Sequence, residues 1–75
     1  MKVFINSELY SVEKEKMTHA EILHLAGYPT FTNKDYVILN EIDLTKYRAG
    51  DTVILRNNTN LIIYENKEWL SYGRR

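Results

Sequence analysis

Two histidines and one glutamate are the residues best placed to do chemistry in this chain, and they lie close together. His19 and His24 are five residues apart, roughly 140° around a helix, so the two side chains cannot readily bind one metal ion. Neither has a cysteine or an H-E-x-x-H motif beside it. Glu21 has no nucleophile or partnered histidine to serve as a general base. The pattern predicts ordinary helix-surface histidines and a capping carboxylate, with no catalytic residue, no metal site and no cofactor.

The charge balance and composition of the chain indicate which classes of molecule it could bind. Ten basic residues balance ten acidic ones, whereas a protein that binds a phosphate backbone normally has a clear basic excess. We therefore expect no nucleic acid as partner. No segment approaches the ~20 apolar residues of a membrane span, and the absence of cysteine suits a reducing compartment. The sequence predicts a cytoplasmic protein whose partners are other proteins, with no membrane contact.

The helix is the best-defined element in the sequence. Thr18 and Glu21 have the spacing of a capping box, in which each side chain binds a free backbone N–H at the helix start. Gly27 then ends the helix, because glycine adopts the left-handed conformation at little cost. An apolar face lies between them, formed by Ile22, Leu23, Leu25 and Ala26.

Strand patterns flank this helix on both sides. Residues 2–6 and 9–14 alternate and are joined by a polar turn, which predicts an antiparallel β-hairpin. Further β-rich runs follow at 36–39, 52–55 and 61–64. Between them, residues 40–51 are polar, and the spacing of Leu44 and Tyr47 predicts a short helical turn that packs both side chains against the body of the protein.

This order of elements predicts an α+β domain of the β-grasp type. One helix must cover one face of the sheet to make a core, so we expect a mixed four- to five-stranded sheet with a single helix on one face. The first and last strands would lie side by side and parallel at its centre, with the helix as crossover. The domain would span residues 1–65, followed by a C-terminal tail at 66–75.

Alternation along the strands predicts which side chains lie on the open face of the sheet, opposite the helix. The predicted helix-facing set is Val3, Ile5, Val37, Leu39, Leu61 and Ile63. The open face would then carry Phe4, Ile38, Ile62 and Tyr64. An exposed apolar cluster of this kind commonly marks an interaction site, to which Trp69 of the tail could add. Two alternatives stay open: the tail folds back over this face, or the third strand is shifted by one residue, which would exchange its two faces.

The chain resembles ubiquitin-like proteins, in particular the bacterial multiubiquitin type. The resemblance rests on an opening FINSELYSV hairpin, a THAEILHLAG helix and a closing pair, GDTVIL and NLIIY. It implies a β-grasp fold and a protein modifier or carrier handled by activating, conjugating and deconjugating enzymes. It also implies that Ile38 matches the residue at the centre of the surface that partners of ubiquitin recognise.

The C-terminus departs from that family. Modifiers of this kind end in Gly-Gly, whereas Trp69 and Leu70 stand there if the tail is aligned from the last strand. Gly73 is the candidate for conjugation, provided that a peptidase removes Arg74 and Arg75. The alternative is a non-covalent ubiquitin-like interaction module, with oligomerisation through the tail or an edge strand as a further option. An enzyme is not predicted.

Overall fold

The computed structural model describes residues 1–29 and 35–66, which form seven strands and one helix. The elements in chain order are β1 (Lys2–Ile5), β2 (Glu8–Ser11), β3 (Lys16–Thr18), α1 (His19–Leu25), β4 (Tyr36–Asn40), β5 (Lys46–Tyr47), β6 (Thr52–Ile54) and β7 (Thr59–Glu65). The predicted α+β class is confirmed. No helix in the described ranges has both the length and the apolar character needed to cross a bilayer.

The main sheet is mixed and has five strands in the order β2-β1-β7-β4-β5. β1 and β7 pair in parallel, and the other three pairings are antiparallel. The predicted parallel pairing of the first and last strands is therefore confirmed, and the layout is compatible with a β-grasp fold. β3 and β6 form a separate two-stranded antiparallel sheet, of which the sequence indicated only β6. β7 ends at Glu65 and is the last strand of the described residues.

The hairpin between β1 and β2 turns on two residues with positive φ, Asn6 at 52° and Ser7 at 71°. Positive φ at both central residues is the property of a type I′ turn, whose twist matches that of the flanking strands. Asn6 also ties the turn to the rest of the fold. Its Oδ1 accepts the backbone N–H of Ile63 at 2.8 Å, and its Nδ2 donates to the hydroxyl of Tyr28 at 2.9 Å.

The helix begins at the predicted capping box, and Gly27 follows its C-cap. The Thr18 side chain accepts the backbone N–H of Glu21 at 3.1 Å, and Glu21 accepts the backbone N–H of Thr18 at 2.8 Å. Gly27 has a φ of +88°, as its role after the helix requires. The helix is shorter than the motif suggested, because it ends at Leu25 with Ala26 as its cap.

His19 corrects the expectation that both histidines lie on the helix surface. Its side chain is fully buried, and its Nε2 lies 2.9 Å from the carbonyl oxygen of Tyr36 in β4. Because a carbonyl only accepts, Nε2 carries the proton in this contact. The backbone N–H of His19 also donates to the carbonyl of Asp51 at 2.9 Å. The residue thus links the helix start to two distant segments, while His24 is exposed as expected.

The register of β4 overturns the prediction that Ile38 lies on the open face. Ile38 is 0% exposed and pairs with Ile63, and both belong to the core that packs against Ile22 and Leu23 of the helix. Val37 and Leu39, which alternate with Ile38 along β4, therefore face away from the helix. All four residues from Tyr36 to Leu39 are apolar or aromatic, so alternation within the strand could not identify its core face.

The segment between β4 and β6 also differs from its prediction. Residues 46–47 form the short edge strand β5 in place of a helical turn. Tyr47 is half-buried and packs against the core as expected. Leu44 is 70% exposed, so the expectation that it packs beneath this segment is wrong.

Candidate functional site

The open face of the main sheet is the candidate site, and the strand register decides which side chains it holds. Paired residues of neighbouring strands project to the same side of a sheet. Leu9 of β2 pairs with Phe4 of β1, which pairs with Asn60 of β7. Two residues after Asn60 in β7, Ile62 pairs with Leu39 of β4, and Leu39 pairs with Lys46 of β5. Two adjoining rows of side chains therefore cross the sheet.

The accessible part of these rows is mainly apolar. Phe4, Leu39 and Ile62 are half-buried, and Leu9 at the sheet edge is 55% exposed. Tyr64, two residues beyond Ile62, is 36% exposed. We call these five residues the open-face cluster. Val37 pairs with Tyr64 and so shares the face, but it is buried and adds little accessible surface.

Two lysines lie on the same side of the sheet as the open-face cluster. Lys2 precedes Phe4 by two residues in β1, and Lys46 pairs with Leu39. Both side chains are exposed. An apolar centre with cationic groups near its margins fits a partner surface that is apolar and carries carboxylates, since complementary charge favours encounter and orientation.

The residues predicted to form the partner surface divide into three groups. Phe4, Ile62 and Tyr64 are brought together on the open face. Ile38 lies in the core, and Leu39 occupies the corresponding outward position on β4. Trp69 and the conjugation candidate Gly73 lie outside the described residues, so both stay predictions.

Leu9 and Leu39 lie on the open face although neither was predicted to be there. Leu9 stands two residues after the Asn6–Ser7 turn and directly opposite Phe4, so a two-residue hairpin turn would have placed it on the open face. Leu39 had no such local signal, because its orientation depends on pairing with β7.

The side chains of this face are suited to binding and not to metal ligation. Over residues 1–29 and 35–66, no three His, Cys, Asp or Glu side chains come together as metal ligands would. Comparison of the chain with protein-family models finds no match, and comparisons with curated proteins and with solved structures find none. The open-face geometry therefore carries the functional inference.

Proposed function

We propose that this chain is a ubiquitin-like interaction module that binds partner proteins through the open face of its sheet. The observation that supports the proposal is the open-face cluster, in which five apolar or aromatic side chains from four strands adjoin one another on the face away from the helix. Apolar side chains grouped in this way stabilise a complex when a partner removes them from water. The composition suits a cytoplasmic setting, which forms part of the proposal.

Lys2 and Lys46 specify the kind of partner. We infer a protein surface with an apolar centre and nearby carboxylates, because a buried apolar contact supplies affinity while charges at the rim mainly set the rate and orientation of association. Raising the salt concentration should therefore slow association more than it speeds dissociation.

The experiment introduces a photo-crosslinking amino acid at position 62, in the open-face cluster, and at position 20, on the exposed surface of α1, in cells of the protein's own host. Proteins crosslinked only from position 62 are identified by mass spectrometry, purified and tested for direct binding. Ile62→Asp should weaken that binding by about tenfold or more, because it buries a carboxylate in an apolar contact. Ala20→Asp is the control for the added charge, since Ala20 is exposed on α1, on the opposite side of the sheet from the open-face cluster.

The outcome of the affinity measurement decides the proposal. Equal affinities for the wild type and Ile62→Asp, with unchanged circular dichroism, would exclude the open face as the binding surface. An equal loss in both variants would point to a general effect of added charge.

A covalent role as a bacterial modifier or carrier is the second candidate. It is supported by the strand order, because β7 lies in the centre of the sheet and Gly73 follows this strand in the sequence. The intact mass of the protein from its own host should then reveal a chain ending at Gly73. Incubation of the protein with ATP and a cognate activating enzyme should yield an adduct, and Gly73→Pro should abolish it. A chain that retains Arg75 in the host and forms no adduct would contradict this role.

A further inference from the structure

A second apolar surface lies around a cleft that no residue of the open-face cluster lines. Ile42 and Leu44, which are 71% and 70% exposed, stand on the turn between β4 and β5. The cleft beside them has a volume of about 390 Å³, and its walls include Ile42, Tyr47 and Ile54. Ile54 is itself 41% exposed. We call Ile42 and Leu44 the knob, and this cavity the cleft.

The knob is held in place by its own turn. The backbone N–H of Leu44 donates to the carbonyl of Asn40 at 2.7 Å, and the N–H of Ile42 donates to Asn40 Oδ1 at 2.9 Å. The N–H of Thr45 donates to Asp43 Oδ1 at 2.9 Å. Because the turn is ordered before any contact forms, binding through it loses little conformational entropy.

Leu44 is an unexpected residue for its position. Its φ is +65°, a left-handed conformation that glycine or asparagine adopts at lower cost than leucine. The side chain that incurs this strain is mostly exposed, so its burial within the chain does not compensate for it. Strain and exposure at one residue together indicate a role in an intermolecular contact.

The cleft carries both signs of charge. Asp43 and Arg56 line it, yet the ion pair found in the described part of the chain joins Lys14 to Glu21 instead. Within the described residues neither of these two charges is neutralised by an ion pair, although Asp43 Oδ1 accepts the Thr45 N–H. The chain has no formal net charge, so two copies do not repel each other at long range.

We propose that the knob and the cleft bind a second copy of this chain in a two-fold symmetric dimer. Such an interface must be self-complementary, because the same patch is used on both copies. The knob of each copy would enter the cleft of the other, and Asp43 of each copy would face Arg56 of the other. An apolar knob beside a cleft that is lined by one acidic and one basic side chain meets this requirement. The open-face cluster stays free for other proteins.

Sedimentation velocity on the full chain tests the dimer, over about 1 μM to 1 mM, the range of weak to moderate affinities. We expect the sedimentation coefficient to rise with concentration. Leu44→Asn removes the aliphatic side chain and suits the positive φ, so the monomer should stay folded while the dissociation constant rises by about tenfold or more. Leu9→Asn, an exposed leucine on the open face, is the control and should leave the dimer unchanged.

Arg56→Glu gives an independent test through charge. It would place two acidic side chains opposite each other, so the dimer should weaken and should recover in part as salt screens the repulsion. A wild type that stays monomeric to about 1 mM would overturn the proposal. A dimer with the same dissociation constant in Leu44→Asn would also overturn it, as would one weakened equally by Leu9→Asn.

Discussion

Replacing Ile38 with alanine tests which side chains of β4 face the helix, and therefore which residues form the open face. Ile38 is 0% exposed and belongs to the same core as Ile63 and the helix residue Ile22. Truncating a fully buried isoleucine removes its transfer free energy and leaves a cavity, which together cost about 2–5 kcal/mol. Leu39 is half-buried on the open face, so Leu39→Ala should cost only about 1 kcal/mol or less.

The two variants should separate clearly in urea and thermal unfolding followed by circular dichroism. At about 4–8 °C for each kcal/mol in a domain of this size, Ile38→Ala should lower the melting temperature by roughly 10 °C or more. Its m-value should stay close to that of the wild type, which shows that stability has changed and not the unfolded state. Partner binding should follow the opposite order, weakened by Leu39→Ala and retained by folded Ile38→Ala. Equal destabilisation, or a larger loss in Leu39→Ala, would refute the assigned register.

Variants at two further positions test local hydrogen bonds of the fold. Asn6→Ala should lower the free energy of unfolding by about 1–3 kcal/mol, because the backbone N–H of Ile63 loses its acceptor. Asn6→Asp keeps an acceptor at this position and should cost less. Urea unfolding that ranks the two variants the other way would contradict this role of Asn6. The backbone hydrogen bond from Thr18, aided by Lys14, holds the pKa of Glu21 below its ordinary value of 4.5. Because the pKa of Glu21 is lower in the folded state than in the unfolded state, this stabilisation is present above pH 4.5 and is lost as pH falls through the folded-state pKa. The urea midpoint of Glu21→Gln should therefore decline less on acidification than that of the wild type. Parallel declines of the two midpoints would exclude this contribution.

Local signals were sufficient for the elements that interact mainly with themselves. Thr18 and Glu21 predict the helix start, since both partners of the capping box lie within four residues. Gly27 predicts its end for a similar reason. The hairpin and the order of the major strands follow from alternation and turn residues, and with a single helix this order leaves few arrangements that bury one core. The α+β class and the parallel pairing of the first and last strands were therefore predictable.

Tertiary structure decided the features that depend on residues far apart in the chain. In β4 every candidate position is apolar, so the inward face was decided by pairing with β7 and made Leu39, not Ile38, a residue of the open face. His19 is buried because its imidazole reaches the carbonyl of Tyr36, 17 residues away. Leu44 is exposed because the hydrogen bonds of its turn, and not its hydrophobicity, decide its direction. The sequence alone determined the helix and the five major strands, but β3, β5 and the burial of side chains in β4, at His19 and at Leu44 required the fold as a whole.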